Sequence, residues 1–202
     1  MKLSSPFDQK YFDQWYRQRS KRVSTLDSAQ RKATLAIAVA EYYLERPVKN
    51  VLDIGCGEGQ WQPILRKLRP GIQYQGIDPS AYAIKRFGKK RNLTLGSFSD
   101  LPKQKLAKMY DLIICSDILY YVLEPELKRG LQKIANHLRG IAFLEAYSSD
   151  EKLEGDVQGM LPRSVGDYKR VFKQTGFISC GSHCYVNQSL AYRVTAMERG
   201  IV

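Results

Sequence analysis

Val51-Leu52-Asp53-Ile54-Gly55-Cys56-Gly57-Glu58-Gly59 is an apolar strand that runs straight into three glycines at alternate positions, and Gln60-Trp61-Gln62-Pro63 behind it opens a helix. Glycine lets a chain turn tightly and lets its backbone approach a bound molecule closely. A plain strand-to-helix turn needs one glycine, so three indicate a ligand loop. The order G-x-G-x-G differs from the G-x-G-x-x-G of nicotinamide- and flavin-binding folds, which rest a pyrophosphate on the helix N-terminus. Asp53 at the strand end would repel a pyrophosphate and suits a cationic ligand. Pro63 is compatible with the helix because it falls in the first turn.

Working outward, further apolar runs stand at Val48–Ile54, Ile72–Ile77, Leu93–Leu95, Tyr110–Cys115 and Ile141–Ala146, with helical stretches at about 60–69, 80–90, 124–138 and 164–175. Strands alternating with helices predict parallel βαβ units and an open sheet covered on both faces. Phe177–Val186 reads as one further strand. Segment 190–199 fits either strand or helix. Upstream, Phe7, Tyr11, Phe12, Trp15 and Tyr16 share one face of a short helix expected to reach Arg22. A second helix is expected over 27–45, capped by Asp27 or Ser28 and stopped by Pro47. The expected fold is α/β: a Rossmann-like, doubly wound, mostly parallel sheet over 46–202, an antiparallel strand near the C-terminus, and a helical cap over 1–45.

The second run ends Gly76-Ile77-Asp78-Pro79-Ser80, which places Asp78 at roughly the 20-residue interval after the glycine loop where an acid accepts hydrogen bonds from a ribose. Asp78 also suits the N-cap of the next helix with Pro79 at its first position; both roles can hold at once.

These stretches, followed in order by Gly96-Ser97-Phe98-Ser99-Asp100-Leu101-Pro102 and Tyr110-Asp111-Leu112-Ile113-Ile114-Cys115-Ser116-Asp117, resemble the successive motifs of class I S-adenosylmethionine-dependent methyltransferases. The resemblance covers residues 45 to 180. Leu119-Tyr120-Tyr121-Val122 is similar to a subgroup that methylates small molecules, nodulation-factor N-methyltransferases among them. The resemblance implies S-adenosylmethionine as cofactor and S-adenosylhomocysteine as product. It implies that Gly55, Cys56 and Gly57 lie against the methionine part, with Asp53 near its ammonium. Asp78 would hold the ribose, Pro79 would pack near the adenine, Ser97 and Phe98 would flank the adenine edge, and Ser116 would sit under the sulfonium. Arg22, on an N-terminal helix lying across the site, is the implied partner of the cofactor carboxylate. Two departures stand out. Ser97 occupies a position where many members have Asp, and His137-Leu138-Arg139-Gly140 keeps one glycine of the usual Pro-Gly-Gly turn, predicting a tighter loop.

Acceptor-side candidates follow the fourth and fifth strands: Asp117, Tyr120 and Tyr121, then Glu145 and Tyr147. Asp117 and Glu145 are candidates to take the acceptor's proton or to neutralise a cationic acceptor, and Tyr120 and Tyr121 are the candidate walls. Ser148–Leu161 reads as a long loop, with Asp150, Glu151, Glu154 and Asp156 against Lys152 alone, a pattern expected of a lid. An acidic rim favours an amine acceptor, hence N-methylation with Glu145 as preferred contact; the alternative is a phenol or carboxylate acceptor held by Tyr121 and an N-terminal arginine. Cys180, His183 and Cys184 offer three potential ligands within one strand and no second cluster, so no metal is expected.

The 202 residues, 44% hydrophobic and 26% charged, exclude a disordered or fibrous chain. No apolar run approaches the roughly 20 residues of a membrane span, and no apolar signal core follows Met1; a cytoplasmic protein without membrane partners is the expectation. The net charge of +12 is concentrated in Arg17–Lys32, with six basic residues against Asp27, and Ala83–Tyr110, with eight against Asp100. Such patches suit nucleic acid or an anionic substrate as well as a solvated surface. The leading expectation is a small-molecule methyltransferase. The alternatives are an RNA or protein methyltransferase and a non-catalytic cofactor-binding protein. Ser116-Asp117-Ile118-Leu119 is not the Asn/Asp-Pro-Pro-Tyr/Phe of base-amino methylation. The sequence leaves oligomeric state open.

Overall fold

The computed structural model describes residues 7–18, 25–106, 108–151, 157 and 159–199. Among these residues seven strands form one sheet: β1 (Asn50–Ile54), β2 (Gln73–Asp78), β3 (Leu93–Leu95), β4 (Tyr110–Ser116), β5 (Leu138–Glu145), β6 (Phe177–Ser179) and β7 (Cys184–Asn187), in the order β3-β2-β1-β4-β5-β7-β6. The first five are parallel, and β7 runs antiparallel to both β5 and β6. This is the expected α/β architecture.

Helices cover both faces, so the central strands are apolar on both sides. Val51, Leu112, Ile114, Ile141 and Phe143 face α2 (Leu26–Leu44), α3 (Trp61–Leu68) and α4 (Ala81–Arg91). Leu52, Ile113, Ala142 and Leu144 face α5 (Glu124–His137) and α6 (Val165–Gln174). Helix α2 turns Ala29, Ala33, Ala36, Ile37 and Ala40 inward. That run of small side chains at helical spacing allows close packing on the sheet.

Several local expectations are corrected. Helix α2 is capped by Thr25, whose hydroxyl accepts the Ser28 amide at 2.9 Å; Asp27 and Ser28 already lie inside the first turn. It ends at Glu45 in a left-handed conformation (φ 55°), two residues before Pro47. Phe177–Val186 is a hairpin of two strands, because Gly181, Ser182 and His183 all take positive φ and reverse the chain. Segment 190–199 is helical: a 3-10 turn over Gln188–Arg193, then α7 (Ala196–Arg199). The aromatic N-terminal helix, α1 (Gln9–Phe12) continued by a π turn over Asp13–Arg17, stops short of the expected Arg22. No loop separates α5 from β5. Instead Gly140 lies within β5 at a register shift, where a Cβ would come 2.1 Å from the Asp111 carbonyl oxygen.

The chain winds outward from β1 through β2 to β3, then returns to β4 beside β1. This reversal opens a crevice beyond the carboxyl ends of β1 and β4, the place where open α/β sheets take ligands. Among the described residues no helix is long and apolar enough to cross a membrane.

Candidate active site

A cavity of about 600 Å³ fills that crevice. Its floor is the loop after β1. Gly55, Gly57 and Gly59 have φ of 72°, 54° and 72°, a region in which side chains are strained. A Cβ on Gly55 would stand 2.4 Å from Ile118 Cγ2. The Gly55 and Cys56 amides donate to the Ile77 carbonyl at 2.8 and 3.2 Å, tying the loop to β2. Cys56 is buried, and that burial pushes its thiol well up, away from the thiolate form.

Two acids face this floor. Asp78 accepts the Gly57 amide at 2.7 Å and the Ser80 amide at 2.8 Å, one on each oxygen. Burial raises its pKa against those two bonds. Helix α4 is capped by Ser80, whose hydroxyl accepts the Ala83 amide at 3.1 Å, not by Asp78. Asp78 therefore keeps a free lone pair on each oxygen for a ligand. Asp53 is 2% exposed and accepts the Tyr74 hydroxyl at 2.6 Å. Burial pushes it up to about 7, the Tyr74 bond opposes this, and the Asp78 charge adds to it. Among the described residues no cation pairs with Asp53 or Asp78.

Pro79, Ser97, Phe98 and Ser116 also line the cavity. The Ser97 hydroxyl and amide both donate to Asp100, at 2.6 and 2.9 Å, so the hydroxyl presents only acceptor capacity to a ligand. From the N-terminal segment, Phe7, Tyr11, Phe12 and Tyr16 close one side, while Trp15 does not reach the cavity. Ser80 donates to the Phe7 carbonyl at 2.6 Å, and Arg17 pairs with Glu58 of the glycine loop at 2.5 Å. Arg22 lies outside the described residues.

At the other end, Asp117 follows β4 with φ 59°, a left-handed conformation uncommon outside glycine. Glu145, expected as the acceptor contact, does not line the cavity. It is 2% exposed and receives Lys32 at 2.7 Å, Ser116 Oγ at 2.5 Å and the Tyr147 hydroxyl at 3.0 Å. Burial alone would raise Glu145; the Lys32 bond, with those of Ser116 and Tyr147, outweighs burial and holds it low. Lys32 Nζ also stands 3.8 Å from Asp117. Asp117 is raised, by burial first and by the Glu145 charge second, with Lys32 opposing. Tyr120, Tyr121 and Tyr147 line the adjoining wall, with ring centroids 4.6 Å apart for Tyr120–Tyr121 and 6.3 Å for Tyr120–Tyr147.

From the acidic loop, Glu151 reaches the cavity and accepts the Ser148 amide at 2.6 Å; Lys152, Glu154 and Asp156 lie outside the described residues. Buried Arg163 donates to the carbonyls of Leu119 (3.2 Å) and Val122, and the Leu161 amide donates to the Tyr120 carbonyl at 2.8 Å. The end of the loop thus grips the turn that carries Tyr120 and Tyr121. Cys184 is buried on β7 and His183 sits in the hairpin turn. Among the described residues no cluster of three or more His, Cys, Asp or Glu side chains is arranged to hold a metal ion.

Lys32, Tyr74 and Arg163 escaped the reading of the sequence. Lys32 left a signal: it stands three residues after Ala29 and four before Ala36, inside the small apolar face of its helix. Tyr74 and Arg163 left none that separates them from ordinary core and loop residues.

Residues 26–194 match a family described as a methyltransferase domain. Over 112 residues the chain is 31% identical to the mitochondrial ubiquinone biosynthesis O-methyltransferase of Saccharomyces cerevisiae, a match covering 52% of this chain and 36% of that protein. The chain is similar in fold to a sugar N-methyltransferase of Streptoalloteichus (TM-score 0.62, 17% identity, 87% of this chain and 85% of that one). It is likewise similar to magnesium protoporphyrin IX methyltransferase of Synechocystis, solved with bound SAH (TM-score 0.59, 17% identity, 89% and 92%).

Proposed function

The chain belongs to the methyltransferase-domain family, and from that premise we propose that it transfers a methyl group from S-adenosylmethionine to a small-molecule acceptor, at an amine nitrogen. The donor set fits that cofactor. Asp78 has lone pairs to spare for two ribose hydroxyls, Asp53 is a buried acid with no cation beside it among the described residues, and Gly55 and Gly57 bring the loop backbone to the cavity without a side chain of their own. Pro79, Ser97 and Phe98 would hold the adenine, with the Ser97 hydroxyl accepting from its amino group. When bound, the cofactor supplies a methyl group already activated on a sulfonium.

The observation that carries the acceptor reading is the charge left over at the β4–β5 end. Lys32 neutralises Glu145, and Asp117 remains as a further carboxyl on the cavity wall beside three tyrosine rings. Asp117, with Glu151 as a second acid on the cavity lining, attracts a protonated amine to the aromatic wall, both by charge and by the negative faces of the rings. Asp117 then takes the proton that the nitrogen loses, and its raised pKa brings it nearer the working pH of a general base. The contact is Asp117 rather than Glu145. Tyr121 and Tyr147 orient the acceptor.

A second reading rests on Lys32, which lines the cavity and whose ammonium would suit a phenolate or carboxylate oxygen. Assays of methyl transfer to panels of amines, phenols and carboxylic acids, read by product mass, separate the two. Amine products that Asp117→Asn abolishes support the proposal. Products confined to the oxygen acceptors, lost in Lys32→Met and kept in Asp117→Asn, establish the second reading instead.

A further inference from the structure

Helix α4 carries Lys85, Arg86, Lys89, Lys90 and Arg91 and no acid, and the chain holds no further acid until Asp100. Asp100 itself is engaged by Ser97. The first four cations are exposed, and among the described residues none of the five has a carboxylate partner. Lys85 and Lys89, and Arg86 and Lys90, are like charges one helical turn apart, an arrangement that weakens a helix standing alone. Both guanidinium groups lie beside aromatic rings, and that of Arg91 also donates to the Glu58 carbonyl at 2.6 Å. Arg86 lies 5.8 Å from the Tyr82 ring and 5.5 Å from the Phe87 ring and donates to the Tyr82 hydroxyl at 2.6 Å; Arg91 lies 4.5 Å from the Phe87 ring.

We propose that the exposed face of α4 docks the phosphate backbone of single-stranded RNA, away from the reacting end of the cavity. Paired cations repeated along a helix suit a linear run of phosphates. Guanidinium groups beside aromatic rings can take unpaired bases by stacking. The face lacks what other anionic partners need. A membrane surface takes apolar side chains among the cations, and a protein interface takes a desolvated apolar core; α4 exposes no large hydrophobic residue. Helix α4 packs beside β2 and β3, at the opposite edge of the sheet from the hairpin that flanks β5. RNA bound here is a tether, not the methyl acceptor.

The test is fluorescence anisotropy with a labelled oligouridylate of about 15 nucleotides, titrated at salt from about 50 to 200 mM. The expected slope of log K against log salt is about −3, for four to five phosphates at roughly 0.7 each. The triple variant Lys85→Glu/Lys89→Glu/Lys90→Glu should lose at least about tenfold in affinity. The control Lys128→Glu/Arg129→Glu/Lys169→Glu changes net charge equally on exposed parts of α5 and α6 and should stay within about twofold. Calorimetric affinity for S-adenosylhomocysteine and the melting temperature report the fold of each variant. Glutamine at the same three α4 positions repeats the test without added repulsion. Equal loss in both triple variants assigns the binding to net charge and overturns the proposal. So does absence of RNA binding, or tighter binding to phosphatidylserine vesicles or polyglutamate than to RNA.

Discussion

At the glycine-loop end of the cavity, Asp53, Gly55, Gly57 and Asp78 come from a single βαβ unit, and backbone amides do much of the holding. At the β4–β5 end, the polar groups come from α2, from the turn after β4 and from the close of β5, and they hold one another by side chain: Lys32 to Glu145 and Asp117, Ser116 and Tyr147 to Glu145. The geometry of the first end is largely that of its backbone, with one side-chain bond from Tyr74 to Asp53. The second is a network, in which removing one member leaves another buried and unpaired. A backbone-built cradle for one ligand and a side-chain-built wall for another follow from that difference.

The largest effect is expected where the network is cut. Lys32→Met leaves Glu145 buried without its cation and should cost about 3 kcal/mol of stability in denaturant unfolding, while affinity for S-adenosylhomocysteine changes little. Adding Glu145→Gln should recover much of the loss. The pH dependence has a definite sign. Because the native Glu145 pKa is depressed, its contribution is present above the ordinary glutamate pKa and is lost as pH falls through and below that value. Lys32→Met should flatten that acid limb. A Lys32→Met protein as stable as the parent would show that the two ends are built alike.

At the other end, Asp78→Ala should leave the fold intact and weaken calorimetric binding of S-adenosylhomocysteine by about 100-fold, through two lost hydrogen bonds to a charged acceptor. Unchanged binding would remove the ribose assignment.

Asp53 predicts a smaller, pH-dependent effect. Its native pKa of about 7 lies above the unfolded value of about 3.9, so the native state binds more protons between the two. Its contribution to stability therefore falls as pH rises through that window, and Asp53→Asn should reduce the fall. A cationic ligand group beside Asp53 favours the ionised form. S-adenosylhomocysteine should accordingly bind about tenfold more weakly near pH 5.5 than near 7.5, and the difference should shrink in Asp53→Asn. The same pH dependence in wild type and variant would place the ammonium elsewhere.

The smallest effect separates positioning from contact. Tyr147→Phe removes one hydrogen bond to Glu145 and should cost about 1 kcal/mol, leaving binding of S-adenosylhomocysteine unaltered. A loss comparable to that of Lys32→Met would mean that the hydroxyl, not the lysine, organises the network.

Read as a sequence, the chain displays its alternating apolar runs and helical stretches, its three glycines after β1 and the acid at the end of β2. Those features are local: strand and helix periods are written into neighbouring residues, and an acid one βαβ unit downstream of a glycine loop has little choice of position. Even there, short-range detail needed the fold. The reversal at Gly181–His183 is three consecutive positive φ values, of which only one falls on a glycine, so the segment reads as one strand. The acceptor end was decided by tertiary structure alone. Lys32 meets Glu145 across 113 positions, a pairing set by how α2 lies on β5, and burial beneath that lysine turns the acid expected to face a substrate into the buried half of an ion pair. Which carboxylate remains open to the cavity depends on long-range packing and desolvation, and neither is expressed in the residues adjoining it.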